Sequence, residues 1–249
     1  MFMALLPSDL APSFSLLLIF ASFFTSATTA AFGLGGGAML IALMTTVMNP
    51  LIAVPVHGAV QLGSNGGRAM VRFPHIVWPF FIWFCIGSAL GVAIGGQIAH
   101  LLPENLFRGL IGLFLIYIAW GPKLKAVLTS SPLTALTGTV TATIGMITGV
   151  SGPLVIGFLQ GLADRRAIIA THAALMTVQN ILKLAAFTLL GFQFATYLPL
   201  ILMMVATGFL GTLVGSKMLD GLSEQIFRKI FKLILTILAL WLLAQTILA

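Results

Sequence analysis

The sequence predicts an all-α integral membrane protein, and its composition and the length of its apolar segments are the observations that predict it. Of its 249 residues, 59% are apolar and only 7% are charged, and the mean hydropathy is +1.14. A soluble domain carries about 25% charged residues, so this chain has too few to cover a water-facing surface. Its apolar stretches are also longer than the roughly ten-residue alternating strands of a membrane barrel. Helices are therefore the expected elements.

Ten apolar segments follow one another, five in each half of the chain. The second segment of each half is too short for a hydrocarbon core of about 30 Å, which a helix crosses in about 20 residues. We therefore expect about eight to ten transmembrane elements, with a short helical hairpin in each half. The segments cover residues 12–32, 36–48, 52–70, 76–99 and 106–120, then 132–148, 153–161, 167–190, 195–219 and 226–247.

The two halves, residues 1–122 and 123–249, repeat a pattern of polar residues. A polar triplet of the first half recurs 115 positions later with the same spacing. A duplicated membrane protein with polar groups at matching depths is typical of a transporter with one central site. The two triplets are His57, Asn65 and Arg68, and His172, Asn180 and Lys183.

Positive charge predicts the orientation of the segments. The formal net charge of +7 does not indicate a nucleic-acid partner, because most Lys and Arg residues lie at segment ends, as topology determinants do. If the segments alternate, four basic loops share the cytoplasmic side and both termini lie outside. Five elements per half is an odd number, so the second half is expected upside-down relative to the first. The loops carry Arg68 and Arg72; Lys123 and Lys125; Arg165 and Arg166; and Lys217, Arg228, Lys229 and Lys232.

A glycine-rich break precedes the short segment of each half. Residues 33–37 read Gly-Leu-Gly-Gly-Gly, and residues 149–153 read Gly-Val-Ser-Gly-Pro, where Ser151 adds a hydroxyl donor. Irregular backbone in a membrane is tolerated only where it lines a cavity, and the free N–H groups of the next helix attract an anion there. Alternatively, the glycines only allow close helix packing, as we expect for Gly87-x3-Gly91-x3-Gly95 and Gly211-x3-Gly215.

Each half also carries a polar stripe on one face of a helix. Residues that advance by three or four positions share a face, and polar side chains at membrane depth normally face the bundle interior or an aqueous cavity. We expect the imidazoles and amides to bind a substrate and the two cations to attract it. Alternatively, these residues hold the bundle together and the cations snorkel to the interface. The stripes are His57, Gln61, Asn65 and Arg68, and His172, Gln179, Asn180 and Lys183.

The acidic residues lie at or beyond the segment ends, so no carboxylate is expected at mid-membrane. The usual intramembrane Asp/Glu relay is thus missing, and a cavity lined by cations and amides suits a compact oxyanion. If transport is coupled to protons, the two stripe histidines are the expected carriers. The chain lacks a Walker-type phosphate loop, and we expect neither enzymatic activity nor a cofactor. The five acids are Asp9, Glu104, Asp164, Asp220 and Glu224.

The two glycine breaks and the repeat of short helices together resemble the sulfite exporter TauE/SafE family, over about residues 12–247. The resemblance implies a multi-pass transporter of the plasma membrane, the inner membrane in a Gram-negative cell. It also implies that the substrate is sulfite or a small organosulfur anion and that the breaks form the substrate site. Ser151 departs from the pattern, since the second break is not a glycine triplet.

The sequence thus predicts an exporter or permease for small sulfur-containing anions that works by alternating access at a midplane site between the repeats. Two other functions stay open. One is a metal- or haem-binding membrane subunit with His57 and His172 as ligands, and the other is a structural membrane partner. The lipid bilayer is the expected environment, and homo-oligomer formation is left open. The predicted substrate-binding residues are Gly35, Gly36, Gly37, His57, Gln61, Asn65, Arg68, Ser151, Gly152, His172, Gln179, Asn180 and Lys183.

Overall fold

The computed structural model describes residues 6–32, 35–122, 130–162, 164–217 and 224–248. Ten α-helices and one short 3-10 helix form these ranges, which contain no strand. The ten helices match the ten predicted apolar segments to within three residues at each end, so the predicted all-α membrane class is confirmed. The helices are α1 Pro12–Phe32, α2 Gly36–Val47, α3 Pro50–Val71, α4 Pro79–Leu101, α5 Glu104–Trp120, α6 Ser131–Thr148, α7 Gly152–Leu159, α8 Arg165–Leu189, α9 Phe194–Lys217 and α10 Glu224–Leu248.

Helix length separates the membrane-crossing helices from the short ones. Within the described ranges, α1, α4, α8, α9 and α10 are long and apolar enough to cross a membrane. By contrast, α2 has 12 residues and α7 has 8. At 1.5 Å per residue they extend about 18 and 12 Å, well short of a core of about 30 Å. Each half therefore contains one helix that ends inside the protein.

Backbone conformation explains the breaks before α2 and α7. Gly149 caps the C-terminus of α6 with φ 78°, and Gly35 precedes α2 with φ 101°. Side chains other than glycine rarely adopt such positive φ values. Residues 33 and 34 of the first break lie outside the described residues, as do Lys123 and Lys125 of the linker.

Glycine faces bring two pairs of helices into close, parallel contact. A Cβ atom at Gly87 or Gly91 of α4 would overlap the backbone of α6 at Ala135 or Thr139. In the same way, Gly211 of α9 lies against the α1 backbone at Phe23, and Gly215 lies against Ala27. The predicted packing role of both glycine patterns is confirmed.

The other two large contacts join antiparallel helices. The start of α3 lies beside the end of α8, because a Cβ atom at Gly58 would be 3.3 Å from Leu184. The start of α5 lies beside the end of α10, where Arg108 donates to Gln245 over 3.0 Å. Farther along the pair, Trp120 at the end of α5 donates to Thr236 in the middle of α10 over 2.8 Å. All four main helix pairs join one half of the chain to the other.

One end of the molecule contains an open vestibule of about 790 Å³. Asp9, Asn49, Glu104, Arg108 and Gln245 line it, so the segment before α1, the α2–α3 and α4–α5 connections and the end of α10 share this end. The Asn49 amide donates to Glu104 over 2.6 Å, and Arg108 forms an ion pair with Glu104 at 2.6 Å. The basic residues Arg72 and Arg166 flank helix ends that face the other way.

The main apolar core surrounds the short helix α2. Leu40, Ile41 and Met44 of this helix are almost fully buried, as are Leu18 of α1 and Leu200 of α9 in the same cluster. No residue of α2 is exposed, and these contacts with other helices stabilise a helix that is too short to be stable alone. The outward-facing surface is apolar and includes Phe20, Leu90, Phe209, Leu233 and Ile237.

Candidate functional site

A cavity of about 70 Å³ lies where the two glycine breaks meet the polar faces of α3 and α8. Residues from both halves of the chain form its wall. It brings together twelve of the thirteen predicted site residues, although they come from positions as far apart as 35 and 183. The lining residues are Thr29, Gly35, Gly37, Ala38, His57, Gln61, Asn65, Arg68, Gly149, Val150, Ser151, Gly152, Pro153, His172, Met176, Gln179, Asn180 and Lys183.

Gly36 is the predicted residue that does not line the cavity. A Cβ atom there would overlap the carbonyl oxygen of Thr25 and the hydroxyl of Thr29 on α1. Gly36 therefore faces α1, and its contact keeps the start of α2 against that helix. Its neighbour Gly37 faces the cavity, where a Cβ atom would be 2.5 Å from the side-chain nitrogen of Gln61.

The two histidines each lie against the glycine break of their own half. Helix α3 begins at Pro50, where the side chain of Asn49 accepts a hydrogen bond from the Leu51 backbone over 2.8 Å, and two turns later it presents His57. Nε2 of His57 is 2.9 Å from the carbonyl oxygen of Gly37 and 3.1 Å from Nε2 of Gln61. Within the described chain, Nδ1 of His57 has no hydrogen-bond partner.

His172 occupies the corresponding place in the second half. It is 8% exposed, and a Cβ atom at Gly152 would lie 3.1 Å from its Nε2 atom. That Nε2 atom is without a hydrogen-bond partner among the residues that the structure describes. Each imidazole thus brings one unused polar atom to the buried site, and unused polar atoms in an apolar interior are unfavourable until something binds them.

The hydrogen bonds of the two cations lie within their own halves, although the stem of Lys183 lies against Gly58 of α3. Arg68 donates to Oδ1 of Asn65 over 2.9 Å. The ammonium of Lys183 donates to the carbonyl oxygen of Gly149 over 3.2 Å. Lys183 is only 5% exposed, so the snorkelling interpretation is wrong for this residue.

The second half contributes a hydroxyl and amide network. Ser151 donates to Oε1 of Gln179 over 2.7 Å. The amide nitrogen of Gln179 then donates to Ser88 on α4 over 3.1 Å and to Thr141 on α6 over 3.0 Å. Asn180 is buried and also lines the cavity. These hydrogen bonds join the break to α4, α6 and α8.

Sequence reasoning missed several lining residues, among them Thr29 and Met176. Met176 lies 115 positions after Gln61, so the repeat itself marked its place, but an apolar side chain gave no chemical signal. Thr29 follows Ser22 and Thr25 on one face of α1, a spacing of three and four residues that marks an inward polar face. Ala38, which adjoins the first break, was also missed, whereas Gly149, Val150 and Pro153 belong to the second break, which was expected at the site.

The charge of the cavity wall is positive. Two cationic side chains, Arg68 and Lys183, line it, and no carboxylate is found among its lining residues. In the part of the chain that the structure describes, no group of three or more His, Cys, Asp or Glu residues is arranged to hold a metal ion. A buried wall with positive charge is suited to a small anion.

Comparison with known protein families agrees with a cavity that is suited to a small anion. The family model described as sulfite exporter TauE/SafE matches residues 18–242, a span that includes both glycine breaks, both polar stripes and all the residues that line the cavity. No curated protein and no solved structure matches the chain. The family is one of membrane transporters, which accords with the apolar helices described above. The chain therefore belongs to the sulfite exporter TauE/SafE family.

Proposed function

We propose that the protein exports sulfite or a closely related sulfur oxyanion, and that the anion binds in the cavity between Arg68 and Lys183. The burial of Lys183 carries this proposal. An ammonium group has three hydrogen-bond donors, and in the described chain Lys183 uses them only on the neutral carbonyl of Gly149. A buried charge without a counter-ion costs several kcal/mol, which a bound anion would offset.

Cavity size supports an inorganic anion over an organic sulfonate. By the same measure one buried water molecule needs about 10–15 Å³, so a cavity of about 70 Å³ can hold several waters. The cavity thus has room for a pyramidal ion with four heavy atoms, such as sulfite. A sulfonate with a carbon chain requires the wall to move. The family description, which names sulfite, agrees with this choice.

Alternating access is the mechanism we propose. The helix contacts support it, because exchanging the halves exchanges the parallel pairs α1–α9 and α4–α6 with each other. The same exchange leaves the antiparallel pairs α3–α8 and α5–α10 in place, as a two-fold axis in the membrane plane would. The site lies between hairpins α1–α2 and α6–α7, whose rocking would open it to one side and then to the other.

We also propose that the vestibule end faces the outside of the plasma membrane. Arg72 and Arg166 lie towards the opposite end, and basic residues concentrate on the cytoplasmic side of membrane proteins. In intact cells, labelling of the Asn105→Cys variant by a membrane-impermeant thiol reagent would support this orientation. Labelling only after permeabilisation would reverse it.

The function is tested by sulfite uptake into proteoliposomes that contain Lys183→Met. We expect the flux at limiting sulfite to fall about tenfold or more, because a hydrogen bond to a charged group contributes about 1.5–3 kcal/mol. Lys229→Met on the exposed face of α10 is the matched control and should retain the wild-type flux. Wild-type flux in folded Lys183→Met protein would contradict the proposal.

A further inference from the structure

We propose that the site selects an oxyanion that carries a proton, such as hydrogensulfite, because Ser151 presents a hydrogen-bond acceptor to the cavity. This inference rests on the proposed function and specifies the form of its substrate. It follows from a chain of hydrogen bonds that leads from the α6 backbone through Gln179 to Ser151. The assignment of donor and acceptor in each hydrogen bond fixes the assignment in the next.

The chain begins at Thr141. Its hydroxyl donates to the backbone carbonyl of Thr137 over 2.7 Å, with the carbonyl of Gly138 at 3.4 Å. A carbonyl oxygen only accepts, so the single hydroxyl hydrogen of Thr141 is used there. Thr141 must therefore accept the hydrogen bond that it shares with Gln179. The nitrogen of the Gln179 amide, not its oxygen, is turned towards Thr141, at 3.0 Å.

This orientation fixes the other end of the amide. With its nitrogen towards Thr141 and Ser88, Gln179 turns its oxygen to Ser151 at 2.7 Å. An amide oxygen only accepts, so Ser151 must donate its one hydrogen to it. The sulfur of Met176 is 3.7 Å from the same hydroxyl and is a weak acceptor. Gln179 is thus a positioning residue whose amide hydrogens are already used within the protein.

The direction of this hydrogen bond reverses the role that the sequence predicts for Ser151. Ser151 was expected to supply a donor to the substrate, but its hydrogen is used on Oε1 of Gln179, so its oxygen can only accept a further hydrogen bond. Ser151 lines the cavity, so this oxygen offers an acceptor to a bound anion. An anion without a hydrogen places oxygen against oxygen at this point. Hydrogensulfite with its proton on oxygen, rather than on sulfur, donates to Ser151 while its charge lies near Lys183.

Chlorate gives a matched probe for this selectivity. It is pyramidal and has three oxygens, like sulfite, and a single negative charge, like hydrogensulfite, but it carries no proton. One missing hydrogen bond with an unpaired acceptor costs about 1–3 kcal/mol, so chlorate should bind about tenfold more weakly than hydrogensulfite. Sulfate also lacks a donor near neutral pH and should be a poor substrate.

The experiment measures uptake of labelled sulfite at slightly acidic pH, where hydrogensulfite predominates, with unlabelled sulfite or chlorate as competitor. We expect wild-type protein to need about ten times more chlorate than sulfite for half-inhibition. In Ser151→Ala the ratio should fall to about two or less, since the acceptor is gone. In Gln179→Leu the Ser151 hydrogen is released towards the cavity, and inhibition by chlorate should become stronger than in wild type.

The outcomes separate this inference from the proposed function. If sulfite is transported and chlorate competes as well as sulfite in wild type, the selectivity is overturned but the function stands. An unchanged competition ratio in folded Ser151→Ala would also overturn it. If no sulfite flux occurs in folded wild-type protein, the proposed function itself fails. If Gln179→Leu does not fold, Ser151→Ala still tests the selectivity, because it removes only one hydroxyl group from the cavity wall.

Discussion

At the scale of single residues, the site depends on the path by which the buried side chain of Lys183 reaches the cavity. The stem of Lys183 crosses from α8 over α3 at Gly58, where a Cβ atom would be 2.9 Å from Cδ of the lysine. Because position 58 has no side chain, the stem can lie flat and its ammonium can reach the carbonyl of Gly149. Gly58 therefore contributes to the site by leaving space for the side chain of Lys183.

Substitution Gly58→Ala should weaken sulfite binding about fivefold, because the methyl group displaces the flexible lysine by a few tenths of an ångström and costs about 1 kcal/mol. Concentration dependence of uptake in proteoliposomes measures this. Gly67→Ala on the same helix is the matched control, since nothing lies within 4 Å of its Cβ position. Equal affinity in the two variants would show that position 58 does not guide Lys183.

The repeat in the sequence predicted which residues gather at the site, but not what each of them does there. His57, Arg68, His172 and Lys183 could be paired across the halves from spacing alone, and all four line the cavity. The role of Gln179 could not be predicted, because its hydrogen bonds come from α4 and α6, which are distant in sequence. Hydrogen-bond direction is a property of the packed network and leaves no pattern in the sequence.

At the scale of helices, small residues set how closely the two halves approach each other. The glycine face of α4 lies on α6 and that of α9 lies on α1, and polar bonds reinforce both contacts. Thr139 and Thr143 of α6 donate to carbonyls of α4 over 3.0 Å each. On the other side, Ser22 of α1 donates to Met204 over 2.7 Å. Lipid provides no hydrophobic drive between helices, so such close contacts and hydrogen bonds hold the halves together.

Gly91→Ala and Gly211→Ala should therefore destabilise the protein by similar amounts, about 1–3 kcal/mol each, since each methyl group would overlap a backbone carbonyl that cannot move easily. Thermal unfolding in detergent compares them. The matched control is Gly66→Ala, whose Cβ position is open. A wild-type melting temperature for either interface variant would indicate that its helix pair is looser than described.

Helix boundaries could be predicted because the signals are local, whereas the form of the breaks could not. Pro50, Pro79 and Pro153 occupy first turns of their helices, which is where proline is favoured. The breaks look alike in sequence, yet Gly35 has φ 101° and its counterpart Ser151 has φ −126°. A serine adopts the second value without strain, so the departure from the glycine triplet is compatible with the fold.

At the scale of the whole molecule, the cavity belongs to neither half alone. Each half supplies one cation and one histidine to its wall, and the four main helix pairs all cross between the halves. Relative movement of the halves must therefore change the spacing of Arg68, Lys183 and the two imidazoles together. That coupling is what the proposed alternating access requires, because a site shared by both halves changes whenever one rocks against the other.

The location of the bound anion is the most direct test of this arrangement. Selenite has the same pyramidal shape and ionisation pattern as sulfite, and selenium scatters X-rays anomalously. In crystals grown with selenite we expect one dominant anomalous peak in the central cavity, within hydrogen-bonding distance of Nζ of Lys183. A dominant peak in the vestibule beside Arg108, with none in the central cavity, would contradict the site proposed here.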